Sequence, residues 1–124
     1  MEITGLVLAG LAGLAIAVIG VLYLVRPRLI AASFGLPVPT EPEATPWLRL
    51  KGARDLTTGI AAGVLLWAAT PSVVGWAVLA FTVIPIADAA IILGARHGNS
   101  RAAWGVHGST AALMVVAALM LLLN

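Results

Sequence analysis

Four side chains could do chemistry in a chain that otherwise offers little: Arg54, Asp55, Asp88 and His107. Two carboxylates, an imidazole and a guanidinium can move a proton and steady an anion. Asp88 as acid or base, His107 as its partner and Arg54 as the anion holder would describe a site for acid–base work. Asp88 and His107 are therefore the candidate catalytic residues, and Arg54, Asp55, Asp88 and His107 together are the candidate ligand contacts. Other templates fail. The chain has no GxSxG, no HExxH, no phosphate loop and no dinucleotide fingerprint, so no cofactor is implied. Two acids and one histidine without fixed spacing do not specify a metal site, and the lack of cysteine removes thiolate ligands, disulfides and a thiol nucleophile.

What must position these groups is a membrane. The chain is 61% hydrophobic and 10% charged over 124 residues, with a mean hydropathy of +1.08. Soluble domains carry about 25% charged residues and about 45–50% apolar ones. Such a balance excludes an ordinary soluble enzyme and a disordered chain. The net charge of +2 rests on seven basic residues that form no stripe, so nucleic acid is not an expected partner; the lipid bilayer is.

A helix needs roughly 20 apolar residues to cross the hydrocarbon core. Residues 3–25 carry no charge and end at Arg26-Pro27-Arg28, which gives a first span. The stretch that follows holds Pro37, Pro39, Pro42 and Pro46, so residues 26–48 are expected to be a loop, with Phe34 and Leu36 laid against the membrane. From Leu56 to Ala87 there are 32 uncharged residues, interrupted by Ala69-Thr70-Pro71-Ser72. Two spans need about 40 residues. Spans two and three must therefore extend to about 49–69 and 72–94, which forces Asp55 and Asp88 inside them. A fourth span covers about 102–123 and contains His107, after the turn-rich linker from Ala95 to Arg101. The expected fold is one all-α domain, an integral membrane bundle of four transmembrane helices.

The basic residues orient it. Arg26, Arg28, Arg49, Lys51, Arg54, Arg96 and Arg101 all fall on one side of that threading. By the positive-inside rule that side, with loop 26–48, is cytoplasmic and both termini are outside. Trp47 and Trp104 then lie near the inner boundary and Trp67 and Trp76 near the outer one, as an aromatic belt requires. Arginine outnumbers lysine six to one and alanine is abundant, which suggests a high-GC bacterial source and a plasma (inner) membrane location.

On this threading Asp55, Asp88 and His107 sit at one height, roughly 7–10 Å inside the cytoplasmic boundary. A charge in hydrocarbon costs about 2.5–3.5 kcal/mol on insertion scales, so such groups turn toward one another or toward a wet cavity. Arg54 is expected to reach Asp88, while Lys51 and Asp55, four apart, share a helix face. In the plainer alternative Lys51 and Arg54 snorkel to the headgroups and Asp55 only neutralises Lys51. Pro85 frees the Phe81 carbonyl three residues before Asp88 and kinks the third span. Small residues recur every four positions at Ala9/Gly13/Ala17, Gly59/Gly63, Ala90/Gly94 and Gly105/Ser109, and are expected on inward faces.

The run Arg26-Pro27 … Ala32-Ser33-Phe34-Gly35-Leu36-Pro37, followed by Lys51-Gly52-Ala53-Arg54-Asp55-Leu56 … Gly59, resembles the small four-span membrane proteins grouped as DUF4267. Asp88 late in the third span and His107 early in the fourth match the same pattern. The resemblance covers nearly the whole chain. It implies that Arg54, Asp55, Asp88 and His107 act as one unit, and it brings no reaction with it.

Three functions follow from this reading. The polar cluster can form a pocket near the cytoplasmic leaflet for a small apolar or lipid-like molecule, with acid–base isomerisation or cyclisation as a lesser variant. The same groups can relay protons in a transporter or channel subunit, which requires a homo-oligomer because four short spans leave little room for a path. Or the chain is a non-catalytic accessory protein with Arg54 and Asp88 as a structural clamp.

Overall fold

The structure is a computed structural model and describes residues 1–123. Helix α1 runs from Glu2 to Val25 and ends where Arg26 caps it and Pro27 cannot continue it. A single turn, α2 (Pro27–Ala31), starts with that proline in the position where a missing N–H costs nothing. Helix α3 spans Ala44–Ala68. It starts five residues before the boundary expected from charge spacing, because Pro46 falls in its first turn, where proline is tolerated. The extended residues Ala69 and Thr70 separate it from α4 (Pro71–Phe81), again opened by a proline. Helix α5 (Val83–Gly94) continues α4 after a break at Thr82, three residues ahead of Pro85. The Thr82 hydroxyl donates to the Val78 carbonyl at 2.9 Å, and its N–H reaches both Val78 and Leu79 carbonyls. The last helical stretch is α6 (Ser100–Ala102), a π segment (Ala103–Gly108) and α7 (Ser109–Leu122).

Among the described residues, three helical stretches are long and apolar enough to cross a membrane: Glu2–Val25, Pro71–Gly94 and Ser100–Leu122. Helix α3 is 25 residues long but carries Arg49, Lys51, Arg54 and Asp55 in its first half. The molecule is an all-α membrane bundle.

Close backbone approach joins α1 to α3. A Cβ on Gly59 would stand 2.7 Å from the Gly13 carbonyl oxygen, and one on Gly52 would stand 2.8 Å from that of Gly20. These pairings make the two helices antiparallel and leave no room for larger residues between them. The expected small-residue faces hold only in part. Ala9 and Gly13 are buried, but Gly63, Gly94 and Gly105 meet nothing within 4 Å and Ala90 is exposed. Those four lie on outer faces because the helices they belong to pack through other residues.

The second pair is α4 and α7, and α7 also packs on the start of α1. Ala9, Val74, Val78, Ala117, Ala118 and Leu121 form the core there, at the end of the bundle that holds the termini. At the opposite end the two halves separate. No Cα of α1 or α3 comes within 8 Å of one in α5 or the π segment. The bundle is thus a V, closed at the terminal end and splayed at the end where the basic residues sit.

The segment 32–43 bridges the splayed end. Arg28 fixes it: its guanidinium donates to the carbonyls of Pro39 and Glu41, each at 2.9 Å, and to the Thr45 hydroxyl at 3.3 Å. On the far side Phe34 and Leu36 pack against Ala89, Ile92 and Ala103. Gly35 has φ +108, a left-handed conformation that suits glycine, and its carbonyl accepts the Asn99 N–H at 2.8 Å. That turn sets Phe34 across the gap between the halves.

Candidate functional site

The gap is a cavity of about 420 Å³, within the ~300–1,000 Å³ typical of small-molecule sites. Its walls are mainly apolar, from Leu11, Ala12, Ile16 and Ile19 on α1 to Ile84 on α5 and Leu113 on α7. Leu11, Ile84, Val106 and Leu113 line it and remain exposed, so it opens on the side of the bundle. The ionisable groups of the lining are Tyr23, Lys51, Asp55, Asp88 and His107. All belong to the splayed, basic end.

On α3, Lys51 Nζ and Asp55 Oδ2 are 2.8 Å apart, one helical turn from each other. The Asp55 residue is 6% exposed. The ammonium also lies 5.1 Å from the Tyr23 ring centre and 4.9 Å from that of Phe34. A cation beside two aromatic rings and one carboxylate is held in place by electrostatics.

Across the cavity, His107 Nε2 is 2.9 Å from the Phe34 carbonyl oxygen. A carbonyl only accepts, so Nε2 carries the hydrogen. The other ring nitrogen, Nδ1, faces Asp88 Oδ2 at 3.6 Å. At that separation there is no direct hydrogen bond, and the two groups form an ion pair when the imidazole is protonated. The rings of Phe34 and His107 meet edge to face at 4.7 Å.

The π segment brings His107 to this point. Its wider turn carries the Ser109 N–H back to the Trp104 carbonyl, five residues earlier. Such turns are often found at functional sites. Asn99 starts this stretch by accepting the N–H groups of Arg101 and Ala102. Thr58 and Thr110 also line the cavity, but each hydroxyl donates to its own helix, at 2.9 Å to Arg54 O and 2.7 Å to Val106 O.

Of the residues singled out by sequence, Asp55, Asp88 and His107 meet in one cavity and Arg54 does not. Arg54 is exposed, and the group that faces Asp88 is the His107 ring. The cause is angular. With Asp55 turned inward, its neighbour is rotated about 100° round the helix onto the outer face. The expected Arg54–Asp88 clamp is thereby corrected. Lys51 supplies the inner cation instead, in the (i, i+4) pair with Asp55 that the sequence allowed. Tyr23 and Phe34 were not identified as site residues. Phe34 stood in a proline-rich loop, and only its neighbour Gly35 could have marked the turn that aims it inward.

The family model for DUF4267, a domain of unknown function, matches residues 13–121. The chain belongs to the DUF4267 family. The matched region contains every residue lining this cavity except Ala9, Leu11 and Ala12, and so includes Tyr23, Phe34, Lys51, Asp55, Asp88 and His107. No curated protein and no solved structure matches the chain.

Proposed function

We propose that this protein is a four-span membrane protein whose cavity binds a small lipid-like molecule, with the polar end of the site in the cytoplasmic leaflet of the plasma membrane. The observation that carries the reading is the division of the cavity: apolar walls open to the side, and every ionisable lining group collected at one end. An amphiphile diffusing in the bilayer meets the side opening with its chain and the polar end with its head group. Helix α3 is the fourth span, its charged first half tolerated because Lys51 and Asp55 neutralise each other and the arginines reach the headgroups. The sidedness of the seven basic residues supports an orientation with both termini outside.

The test is to extract wild-type protein and Asp88→Asn with their native lipids and identify the bound small molecules by mass spectrometry. A compound retained by wild type and lost from the variant is expected. Equal contents in the two preparations would remove the support for a site.

A second reading rests on the His107–Asp88 geometry alone. An imidazole with one nitrogen fixed to a carbonyl and the other facing a carboxylate is an acid–base pair on the wall of a binding cavity. Its function would be proton transfer to or from the bound molecule. Incorporation of solvent deuterium into that molecule by wild type, and not by Asp88→Asn, is the expected result.

A further inference from the structure

Arg54 is the ionisable member of the Lys51-Gly52-Ala53-Arg54-Asp55 run that the cavity leaves out. It is exposed, and among the described residues its guanidinium makes no hydrogen bond and no ion pair. The acids are engaged or distant. Asp55 is paired with Lys51 at 2.8 Å, and Asp88 stands across the cavity beside His107. Glu43 precedes Arg54 by eleven residues, roughly 16 Å along the helix, and Glu41 lies further back.

The depth of Arg54 makes that isolation matter. Gly52 packs on Tyr23 and Leu56 on Gly20, so Arg54 is level with residues 20–23 of α1, roughly 5 Å short of where that apolar helix ends. A charge facing hydrocarbon without a counter-charge is unfavourable. An arginine side chain is long enough to rise to the headgroups from there, and its planar fork matches two phosphate oxygens. Trp47 and Leu50 precede it by seven and four residues, so both lie within about 40° of it round the helix. They are 72% and 48% exposed. An indole on that face offers an N–H donor where the headgroups begin.

Net charge then selects among phospholipids. At this end seven basic side chains stand against four acids, Glu41, Glu43, Asp55 and Asp88. Arg26, Arg49, Arg96 and Arg101 are exposed as Arg54 is, and among the described residues their guanidinium groups are likewise unpaired. A zwitterionic head group carries its own cation into this positive field; an anionic one does not.

We propose that Arg54, with Trp47 and Leu50, forms a binding site for an anionic phospholipid on the outer face of α3, separate from the cavity. This rests on α3 being a span, as proposed above, and not on what the cavity binds.

The experiment uses the full chain in nanodiscs with a photoactivatable phosphatidylglycerol whose label is mapped to peptides. Unlabelled phosphatidylglycerol is expected to displace the label from α3 about fivefold more effectively than phosphatidylcholine, which is what one cation near an anionic surface contributes. Inorganic phosphate should not compete. Equal displacement by phosphatidylcholine, displacement by inorganic phosphate, or an unlabelled α3 would each overturn the inference.

Variants locate the site. Arg54→Gln should lose most of the α3 labelling, Arg54→Lys should keep part of it, and Arg101→Gln on the other arm should leave it unchanged. A loss from Arg101→Gln equal to that from Arg54→Gln would mean a diffuse basic rim and no Arg54 site. Where Arg54→Gln does not fold, the wild-type competition decides. Thr40→Cys and Ser72→Cys, exposed on either side of α3, report whether it crosses the membrane. Maleimide modification of both from one side would remove the span and this site together. Modification from opposite sides, with α3 unlabelled by the lipid, would remove the site alone.

Discussion

Phe34 and His107 are joined twice, by a 2.9 Å hydrogen bond from Nε2 to the Phe34 carbonyl and by an edge-to-face contact of the two rings at 4.7 Å. These residues are 73 positions apart. The first belongs to the bridging segment and the second to the π segment, so the contact ties the bridge to the far half of the V.

Phe34→Ala separates the two links. The carbonyl remains, so the histidine bond should persist, while the ring contacts to Lys51 and His107 are lost. Each aromatic contact of this kind contributes about 0.5–2 kcal/mol. We expect a lower unfolding temperature in nanodiscs and a cavity less able to retain its ligand, measured by thermal denaturation and by the bound content after extraction.

Lys51 and Asp55 stand or fall together. Lys51→Met strands a buried carboxylate and should cost about 3–5 kcal/mol, the usual result of removing one partner of a buried pair. Lys51→Met combined with Asp55→Leu should recover most of that loss. A double-mutant cycle on chemical or thermal unfolding reads the coupling, and additive losses would show that the pair is not coupled.

Gly59 and Gly20 set the distance between α1 and α3. Gly59→Val places branched carbons where the Gly13 carbonyl oxygen and the Ala17 N–H now lie. The pair must separate, and a sharp fall in folded yield is expected. Gly63→Val, on the outer face of the same helix with nothing within 4 Å, should be near neutral. Comparing the two by detergent-resistant gel filtration tests whether packing or helix propensity governs the loss.

Ile16 lies midway along the apolar wall of the cavity. Ile16→Trp should fill the channel without touching the ionisable cluster. Folding should be kept and the bound molecule lost, so thermal stability and ligand content should diverge in this variant.

The lack of cysteine makes the topology directly testable. Ser72→Cys and His97→Cys each introduce one thiol at an exposed position. A membrane-impermeant maleimide added to intact cells should modify Ser72→Cys at once, and His97→Cys only after permeabilisation.

Much of this arrangement is legible in the residues, for identifiable reasons. The shortage of charge and the 32-residue limit between Leu56 and Ala87 require that Asp55 and Asp88 lie within helices, and the structure places both on one cavity. Helix faces are harder to read. Arg54 and Lys51 are both basic and three residues apart, and only three-dimensional packing decides which one turns inward with Asp55. The π segment is hidden for a similar reason. Gly105 and Gly108 bracket His107, but glycine in an apolar helix also serves close packing, and Gly105 in fact faces open space. Long-range pairing is least visible of all. Nothing local to Phe34 indicates that its carbonyl meets a histidine at position 107.

The V has a mechanical consequence. Its two arms share the apolar core at the terminal end, where Ala9 clusters with Val74, Val78, Ala117, Ala118 and Leu121, and are strapped at the other end by one segment clamped at Arg28. A small change in crossing angle at that core is multiplied by the length of the arms before it reaches the mouth, and the strap limits how far the mouth can open. Lengthening residues 36–43 would tune the gap as a leash does, without altering a single atom of the binding surface.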